Sequence, residues 1–471
     1  MKQSTLLLTS GAAVLTAGAA VIATSCSSAQ AMPEKPNVIY ILVDDLGWAD
    51  LSCFGQTKFS TPNIDAMAEG GIQFMQHYAG CTVSAPSRCS IMTGKHTGNT
   101  YVRGNKGFRS QADNRTYDTP LPAEEVTLGE IFKEKGYTTA CVGKWGMGAP
   151  DNEGHPNEQG FDYFFGYLGQ GHAHSYYPKF LHENKTEVKL DGKTQYSHQL
   201  VEDKALNFIK ENKDNPFFIY LTFTLPHAEL VMPEADMEKF VGQFPEKKFN
   251  RNGGSYGDQE NPHAAFAGMV ERLDLSVGRV NSLLKELGLD ENTMVLFASD
   301  NGAHAEGGAD PEFFNSTGVY RGIKRDLYEG GIRTPFIAYM PNTIPAGVKN
   351  NEMSAFWDMM PTFAELIGVD CPAESDGISI LPTLLGKKQT EFHDYLYWEF
   401  HEQGGKQAVR KGDWKLIKLQ AKVPAKTYFE LYNIVADPSE KNNVVDANPA
   451  IVEELKAIMA SARTESELFK M

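Results

Sequence analysis

The 471-residue chain lacks an excess of basic residues, which limits the classes of ligand that it could bind. It has 44 Lys and Arg against 60 Asp and Glu, giving a formal net charge of −16. Non-specific binding to nucleic acid is therefore not expected, because such binding depends on neutralising phosphates with lysine and arginine. An anionic small substrate is still allowed, since a local cluster of cations can outweigh the global charge.

Cysteine is scarce, and no two cysteines form a Cys-x-x-Cys pair. Because structural zinc and iron–sulfur sites draw on closely spaced cysteines, neither kind of site is expected. If the first cysteine carries a lipid, an odd number remains, and we expect small buried thiols with at most one disulfide. The six cysteines are Cys26, Cys53, Cys81, Cys89, Cys141 and Cys371.

Long apolar runs are absent after residue 31, so no later segment is expected to span a bilayer. The apolar stretch at residues 6–23 follows Lys2, which is the single charge before Glu34. This arrangement is typical of an export signal, which we assign to residues 1–31. A transmembrane anchor is the other interpretation, but the stretch has few large apolar residues and no stop-transfer charges follow it.

Two cleavage sites fit the end of this signal. Residues 23–26, Ala-Thr-Ser-Cys, fit a lipoprotein site in which Cys26 would receive the lipid. Residues 29–31, Ala-Gln-Ala, fit the small-x-small rule of ordinary signal peptidase. We favour lipidation at Cys26 and expect an exported bacterial protein, either periplasmic or anchored to the membrane through that lipid alone.

The rest of the composition is that of a soluble globular protein. Hydrophobic residues make up 41% and charged residues 22% of the chain. A chain of this size buries roughly three quarters of its unfolded surface, so its core needs no metal or disulfide. We expect one large domain at residues 34–385 and a small one at residues 386–471.

Within residues 34–385, apolar segments typical of buried strands alternate with amphipathic segments typical of helices. This alternation predicts an α/β fold in which helices cover both faces of a large, mostly parallel sheet. The predicted strands are residues 37–43, 137–142, 216–224, 294–299 and 334–340. The predicted helices are residues 62–69, 86–93, 126–135 and 263–287.

The pattern changes after about residue 385. Short apolar segments follow one another at hairpin spacing, and the last amphipathic segment, residues 449–462, predicts a helix. We therefore expect a small antiparallel sheet with one helix at the C-terminal end. Its predicted strands are residues 395–400, 407–410, 414–419 and 427–432.

Acidic and amide side chains directly follow two of the predicted strands. Asp44 and Asp45 come after the first strand, and Asp300 and Asn301 after the strand at residues 294–299. Ligands of open parallel sheets lie at the carboxyl ends of the strands, so the two pairs could converge. Three carboxylates and an amide oxygen suit Ca²⁺ or Mg²⁺. Aspartates at strand ends also cap turns, but two such pairs favour a metal site.

A serine and an arginine lie at the start of the helix predicted near residue 86. A ligand beside Ser84 would lie at the positive end of the helix dipole, and Arg88 could add a planar fork for an oxyanion. The alternative is an N-cap serine followed by an exposed arginine. A Gly-x-Ser-x-Gly string at residues 253–257 follows no apolar strand, so we interpret it as a loop rather than a nucleophile elbow.

Three further polar residues are candidate site residues because of their positions in the chain. Lys144 and His227 each stand at the end of a predicted strand, like both acidic pairs. Lys324 lies in the loop after residues 294–299 and could fold back to the same edge of the sheet. Each residue alone is a weak signal, because an isolated lysine is usually a solvated charge and an isolated histidine a satisfied polar group.

Together these residues resemble the formylglycine-dependent sulfatases, which have an alkaline-phosphatase-like fold. The family signature is Cys or Ser, any residue, Pro, Ser, Arg and a later Thr-Gly, and it matches residues 84–88 and 93–94. The resemblance covers the chain from about residue 36 to its end. The other matching stretches are residues 44–45, 143–145, 226–227, 299–302, 324–331, 412–416 and 431–433.

The resemblance implies a reaction and a modified residue. A maturation enzyme would oxidise Ser84 to formylglycine (3-oxoalanine), whose hydrate offers two hydroxyls. One hydroxyl would attack sulfur and displace the alcohol, and the other would expel sulfate and regenerate the aldehyde. The resemblance favours Ca²⁺ over Mg²⁺, held by Asp44, Asp45, Asp300, Asn301 and Ser84. It also implies that Arg88, Lys144 and Lys324 neutralise the sulfate.

The sequence does not fix which residues donate the proton and handle the second hydroxyl. His227 is expected either to protonate the leaving oxygen or to bind sulfate. Many family members have a histidine where this chain has Gly146, which puts the handling of the second hydroxyl in doubt. His304, four residues after Asp300, is a candidate replacement or a substrate contact; the alternative is an exposed loop histidine.

The stretch at residues 143–146 and the long insertion before residue 321 resemble bacterial carbohydrate sulfatases. The expected substrate is therefore a sulfated glycan, with a galactose-type or N-acetylhexosamine sugar. His172 and His174 lie between strands among aromatic residues and are expected to contact that sugar. A metal site is the other interpretation of His-x-His, but no third histidine ligand is near in sequence.

Two alternatives remain. One is a phosphomonoester or phosphonate hydrolase of the same fold, although zinc phosphatases need a histidine where Asn301 stands. The other is an inactive glycan-binding lipoprotein in which Ser84 stays unmodified. The mass of the Ser84 peptide and parallel assays on matched sulfate and phosphate esters distinguish these possibilities.

Overall fold

The computed structural model describes residue 1 and residues 32–471. The predicted cleavage sites and Cys26 lie outside the described residues. Among those that are described, no helix combines the length and the apolar character needed to cross a membrane. The same part of the chain contains five free cysteines, of which Cys81, Cys89 and Cys141 are buried, Cys53 is half-buried and Cys371 is exposed.

The strands are between two and seven residues long. In chain order they are β1 (Asn37–Val43), β2 (Ile72–Phe74), β3 (His77–Tyr78), β4 (Gly107–Arg109), β5 (Thr116–Asp118), β6 (Thr138–Lys144), β7 (Tyr163–Tyr167), β8 (Phe180–Glu183), β9 (Thr186–Lys189), β10 (Phe217–Thr222), β11 (Thr293–Ser299), β12 (Phe336–Tyr339), β13 (Val348–Asn350), β14 (Ser354–Ala355), β15 (Leu396–Phe400), β16 (Lys406–Lys411), β17 (Trp414–Leu419) and β18 (Tyr428–Asn433).

The α-helices lie between and after these strands. They are α1 (Pro62–Glu69), α2 (Ser84–Thr93), α3 (Leu128–Glu134), α4 (Ser197–Glu211), α5 (Glu234–Met237), α6 (Pro262–Glu286), α7 (Pro311–Phe314), α8 (Glu329–Ile332), α9 (Met359–Ile367), α10 (Leu381–Leu384) and α11 (Pro449–Ser461). Residues His172–His174 form a short 3₁₀ helix.

The central sheet has ten strands in the order β13-β2-β12-β11-β1-β10-β6-β7-β8-β9. Its middle strands, from β11 to β7, are all parallel, which confirms the predicted parallel core. The sheet as a whole is mixed, because β12 runs antiparallel to β11, and β8 and β9 add an antiparallel edge. Antiparallel strands at the edge of a parallel sheet are common in large sheets.

Helices cover both faces of this sheet, as predicted. The side chains of β1 alternate, so that Ile39, Ile41 and Val43 pack on one face with α1, α4 and α6. Val38 and Leu42 pack on the other face with α2, α3 and α9. A strand buried on both sides is apolar at consecutive positions, which explains the continuous sequence NVIYILV.

The C-terminal part is a four-stranded antiparallel sheet, β15-β16-β17-β18, with α11 against one face. This confirms the small antiparallel sheet with one helix. Its other face packs against residues of the main part of the chain, including Tyr78, Ile332 and Trp357, in one shared core. The domain limits at residues 34–385 and 386–471 stay a prediction.

Candidate active site

The register of β1 against β11 brings the two acidic pairs together. Val43 lies opposite Ser299, so the residues that follow both strands emerge side by side. The Asp45 N–H donates to Asp300 Oδ1 (3.1 Å), and Asn301 Nδ2 donates to Asp45 Oδ1 (2.7 Å). Asp45 adopts φ +63°, a left-handed conformation that aspartate tolerates better than most residues.

Ser84 reaches these acids from the opposite side. It is the first residue of α2, a helix whose ten residues are all buried. Its Oγ donates to Asp44 Oδ1 (3.1 Å) and lies 3.3 Å from Lys144 Nζ. A second serine of the helix, Ser87, donates to the Asp300 carbonyl (2.6 Å) and ties the helix to the strand end. The Ser84 hydroxyl therefore touches both a carboxylate and a cation.

Each aspartate is paired with a buried cation. Lys144 Nζ lies 2.6 Å from Asp44 Oδ2, and Lys324 Nζ lies 2.7 Å from Asp45 Oδ2. Arg88 donates through Nε (3.1 Å) and Nη2 (2.9 Å) to Asp300 Oδ2, and through Nη1 to the Lys144 carbonyl. The alternative of an exposed arginine is wrong, because Arg88 has no exposed surface.

Burial and pairing separate the pKa values of the aspartates. Burial raises the pKa of Asp300 to about 7, and the neighbouring charge of Asp44 adds to this shift. Burial alone would raise the pKa of Asp45 as well. The neighbouring Lys324 and His227 more than offset this effect and hold the pKa of Asp45 well below its usual range. Burial is the main cause of the Asp300 shift, and the ionised carboxylates beside it act in the same direction, since like charges disfavour a further ionisation.

The donor set fits a hard divalent cation. The Asn301 Oδ1 atom is buried and accepts no hydrogen bond in the described part of the chain. An unpaired buried carbonyl oxygen is unfavourable, and a metal ion at this point would satisfy it. The neighbouring carboxylates supply further oxygens, and oxygen-only sites select Ca²⁺, Mg²⁺ or Mn²⁺ rather than zinc. Carboxylate and ring atoms of Asp44, Asp45 and His227 lie within 4.8 Å of one another.

His227 follows β10 and lies beside Lys324 and Asp45. Its Nε2 lies 3.2 Å from Lys324 Nζ and 3.3 Å from Asp45 Oδ2. Its Nδ1 contacts the Ala228 carbonyl, which leaves Nε2 as the atom facing the site. Burial lowers the pKa of His227 to about 3, and the charge of Lys324 contributes to the same direction.

His174 adjoins the site, whereas His172 does not. The His174 ring stacks on His227 with centroids 4.9 Å apart. The His172 ring stacks instead on Phe180 (4.1 Å) and packs edge-on against Tyr167. The two histidines lie two residues apart in a 3₁₀ turn of three residues, so their side chains diverge by about 120°. The structure therefore gives no support to a sugar contact by His172.

The surroundings of His304 fit neither a substrate contact nor an exposed loop histidine. It is only 2% exposed, so the alternative of an exposed loop histidine is wrong. Its Nδ1 accepts from the Glu306 N–H (3.2 Å), and its Nε2 lies 3.1 Å from the Pro226 carbonyl. Both nitrogens are engaged with the backbone, so neither is free for a substrate or for the nucleophile's second hydroxyl.

The space beside Gly146 is filled by another side chain. A Cβ at Gly146 would lie 1.8 Å from Gln170 Nε2, and Gly146 has φ +82°. A larger residue therefore fits at this position only if the Gln170 carboxamide moves. The sequence gives no local signal for this contact, because the two residues meet through pairing of the segments that follow β6 and β7.

Two more residues at the site, Glu306 and Tyr256, were not predicted from the sequence. Glu306 accepts from Lys324 (3.0 Å) and pairs with Arg325 (2.7 Å), and the Tyr256 hydroxyl donates to Glu306 (3.2 Å). The Tyr256 ring lies 5.3 Å from His174. Glu306 could have been found from its place in the strand-end loop after Asn301. Tyr256 belongs to the Gly-x-Ser-x-Gly segment, which is indeed a loop.

Comparisons with known proteins identify the family of this chain. A family profile described as Sulfatase matches residues 36–369, and one described as N-sulphoglucosamine sulphohydrolase, C-terminal, matches residues 318–465. An N-acetylgalactosamine-6-O-sulfatase of Bacteroides thetaiotaomicron is 31% identical over an alignment that covers 92% of this chain and 94% of the relative.

Solved structures extend the likeness to three dimensions. The crystal structure of Ps i-CgsB in complex with k-i-k-neocarrahexaose has a TM-score of 0.76 at 30% identity, covering 91% of this chain and 92% of that one. The phosphonate monoester hydrolase of Agrobacterium radiobacter, with a TM-score of 0.66 at 19% identity, covers 91% of this chain and 96% of that one and shares the fold alone. The chain belongs to the sulfatase family, with its alkaline-phosphatase-like fold, and is a sulfuric ester hydrolase.

Proposed function

We propose that this protein removes an O-sulfate from a glycan, using formylglycine made from Ser84 by a maturation enzyme together with bound Ca²⁺. The observation that carries the proposal is the placement of the Ser84 Oγ, 3.1 Å from Asp44 Oδ1 and 3.3 Å from Lys144 Nζ. A nucleophile at this point lies between carboxylates that can hold a metal and a cation that can hold an anion. A plain serine hydroxyl would need a neighbouring base, and the carboxylate beside Ser84 is already paired with Lys144.

The metal would be held by oxygens of Asp44, Asp45, Asp300, Asn301 and residue 84. A bound Ca²⁺ would supply Lewis-acid stabilisation of oxygen anions and favour ionisation of a hydroxyl next to it. The lysines now paired with Asp44 and Asp45 compete with the metal for those carboxylates. We infer that Lys144 and Lys324 turn toward the substrate when the metal site is filled.

Charge balance supports an anionic substrate. Three aspartates of the cluster face three cations, so the charges balance without a ligand. A divalent cation would add two positive charges in a buried site, where electrostatic interactions are stronger than in water. The cations that would bind sulfate and stabilise the charge that develops on it are Arg88, Lys144 and Lys324.

His227 is our candidate for the proton donor to the leaving oxygen. Its Nε2 faces the site and lies 3.2 Å from Lys324 Nζ, and the negative charge of a bound sulfate would favour the protonated ring. Proton transfer to the leaving group by a positioned histidine is an ordinary form of acid catalysis. Replacing His227 by glutamine should slow esters of poor leaving groups far more than aryl sulfates, whereas equal losses would favour a sulfate-binding role.

We further propose a galactose-type or N-acetylhexosamine sulfate as substrate. Two findings support this choice: a relative named N-acetylgalactosamine-6-O-sulfatase and the complex of Ps i-CgsB with k-i-k-neocarrahexaose. In this chain, His174 and Tyr256 flank the site on the side of His227 and offer ring faces and polar atoms. His174→Ala should reduce activity on a sulfated sugar by about 10-fold or more, but change aryl sulfate hydrolysis little. Equal losses on both would remove the specificity role.

We also propose that the protein is exported and lipidated at Cys26. The support is the sequence of residues 1–31 alone. Metabolic labelling with a fatty acid in the native host should mark the wild type and leave Cys26→Ala unlabelled. A mature N-terminus at residue 32 would favour ordinary signal peptidase instead.

The proposed function is tested on matured protein by two linked measurements. Mass spectrometry of the Ser84 peptide should show the loss of two hydrogens, and ion chromatography should detect sulfate released from a sulfated sugar. Ser84→Ala should abolish both signals. Ser90→Ala is the matched control, because Ser90 lies in the same buried helix with an Oγ that forms no hydrogen bond among the described residues. Cleavage of a phosphate ester but not of its sulfate analogue would contradict the proposal.

A further inference from the structure

A buried amide donor lies beside the active site without a partner. Gln170 is 9% exposed, and its Nε2 is fully buried with no acceptor in hydrogen-bond range within residues 32–471. Buried side-chain donors are nearly always paired, so an unpaired one calls for a partner that the folded chain does not provide. The missing acceptor would be an oxygen that binds next to Gln170 Nε2 in the working protein.

The backbone fixes the position of Gln170 against the strand end that carries Lys144. Beyond the last residues of β6 and β7, pairing continues, with the Trp145 N–H donating to Tyr167 (2.9 Å) and the Gly146 N–H to Leu168 (3.0 Å). The Gln170 N–H itself donates to Asp118 Oδ2 (2.7 Å), which anchors the turn. The backbone of Gln170 is thus held at a defined place.

The side chain occupies the space in front of Gly146. Its Nε2 lies 1.8 Å from where a Cβ of Gly146 would be. Gly146 is two residues from Lys144, so their Cα atoms are at most about 7 Å apart. On the other side of the same turn, His174 stacks on His227. The turn at residues 168–174 therefore runs along the site from the Lys144 side to the His227 side.

We propose that the Gln170 carboxamide is a substrate-binding group that donates a hydrogen bond to an oxygen of the sulfate ester. The inference rests on the proposed function, because it takes Lys144 as a sulfate-binding cation. The depth of the amide favours the sulfate rather than the sugar: Lys144, two residues from the Gly146 that the amide faces, is only 1% exposed, and a group this deep meets the inner end of a substrate.

The test uses the whole matured protein loaded with Ca²⁺ and inorganic sulfate as the probe. Titration calorimetry gives the sulfate affinity of the wild type, Gln170→Met and Gln170→Glu. The methionine keeps the volume in front of Gly146 but cannot donate, so sulfate should bind about 10- to 100-fold more weakly. The glutamate places a carboxylate beside the anion and should weaken binding by more than about 100-fold.

A control separates binding from folding. Gln73→Met removes another buried glutamine, whose Nε2 donates to the Cys53 carbonyl. Gln73 lies in β2, toward the β13 edge of the sheet and away from β7, so this change should leave sulfate affinity unchanged. Thermal unfolding of each variant shows whether it is folded, and kinetics should show a rise in KM for Gln170→Met that exceeds any fall in kcat.

The outcomes separate this inference from the proposed function. Unchanged sulfate affinity in Gln170→Met, or retained affinity in Gln170→Glu, would overturn the assignment of Gln170 alone and indicate that water satisfies its amide. Wild-type protein that neither binds sulfate nor hydrolyses a sulfate ester would overturn both.

Discussion

Two clusters of buried charges in this protein look alike in composition but differ in what they leave unsatisfied. The catalytic cluster comprises Asp44, Asp45, Asp300, Arg88, Lys144 and Lys324. The interface cluster lies between the main sheet and the C-terminal sheet and comprises Tyr78, Glu329, Arg333, Arg410, Lys415 and Glu440.

Most polar atoms of the interface cluster are paired within the protein. Lys415 lies 3.0 Å from both Glu329 and Glu440, and the Glu329 N–H donates to Glu440 (2.7 Å). The Tyr78 hydroxyl donates to Glu329 (2.7 Å). The catalytic cluster, in contrast, leaves Asn301 Oδ1 without a donor. Among the described residues, Glu440 Oε1 also lacks a hydrogen-bond donor, but Lys415 Nζ lies 3.0 Å from it. The comparison teaches that a buried charge cluster points to a ligand when an unpaired acceptor inside it has no cation of the protein at that distance.

The two clusters are joined by one segment of chain. Lys324 of the catalytic cluster and Glu329 of the interface cluster lie five residues apart. The ion pairs of Glu329 therefore fix the base of the loop that carries Lys324, while Arg321 at its start donates to the Glu440 carbonyl (2.8 Å). We expect substitutions in the interface cluster to lower the stability of the fold. They should change activity only by displacing the loop that carries Lys324.

The largest expected effect comes from breaking the catalytic cluster at Arg88. Arg88→Ala removes two hydrogen bonds to Asp300 and a cation beside the sulfate, so kcat should fall by about 10²–10³-fold or more. Loss of one partner of a buried pair should also destabilise the fold by about 3–5 kcal/mol. Sulfate release and urea unfolding measure the two effects, and wild-type kcat in the variant would contradict the role.

The next effect comes from breaking the interface cluster at Lys415. Lys415→Met leaves two glutamates without their shared cation and should destabilise the fold by about 3–5 kcal/mol. Ca²⁺ affinity should not change, because Lys415 touches none of the proposed ligands. Urea unfolding and calcium titration of the same variant give both results, and weakened calcium binding would show that the clusters are not separate.

A smaller effect on stability is expected from the metal. Saturating Ca²⁺ at about 100 times its dissociation constant should stabilise the fold by about 2.7 kcal/mol, and chelation should abolish activity. Asp45→Asn should lose this response, whereas Lys415→Met should keep it. Thermal unfolding with and without Ca²⁺ decides the point, and an equal response in Asp45→Asn would place the metal elsewhere.

The smallest effect is a pH dependence within the interface cluster. Burial raises the pKa of Glu440 to about 7; Lys415 acts to lower it and Glu329 to raise it. Because its pKa is higher in the folded than in the unfolded state, Glu440 makes stability fall as the pH rises from about 4.5 through 7. Glu440→Gln should flatten this decline by roughly 1–3 kcal/mol. Urea unfolding at pH 5 and pH 8 tests this, and parallel slopes in both proteins would refute it.

The fold was predictable from the sequence where local patterns dominate. The apolar run of β1 and the long amphipathic α6 match their predicted bounds to within about a residue. The strand-end rule likewise predicted that Asp44 and Asp300 would be neighbours. The antiparallel direction of β12 was not predictable, because strand direction depends on the path of the connecting chain rather than on its own residues.

The rest of the site depends on contacts between distant segments. The Gln170 amide opposite Gly146 and the Glu306 carboxylate beside Lys324 meet only in the folded chain. The sequence left His304 open between a site residue and an exposed loop histidine, and in the structure it is buried and contacts two backbone groups. The sequence places Glu306 and His304 in the loop after Asn301, but their contacts, like that of Gln170, are revealed only by the structure.

The central claim is that the Ser84 site cleaves sulfate esters of sugars. Its most direct test is sulfate release by matured, Ca²⁺-loaded protein from a panel of regioisomeric sulfates of galactose, N-acetylgalactosamine and N-acetylglucosamine, with matched phosphate esters alongside. We predict release from one sulfated regioisomer and no comparable cleavage of its phosphate analogue. Cleavage of the phosphate esters alone, or no hydrolysis of any ester by protein with confirmed formylglycine, would contradict the claim.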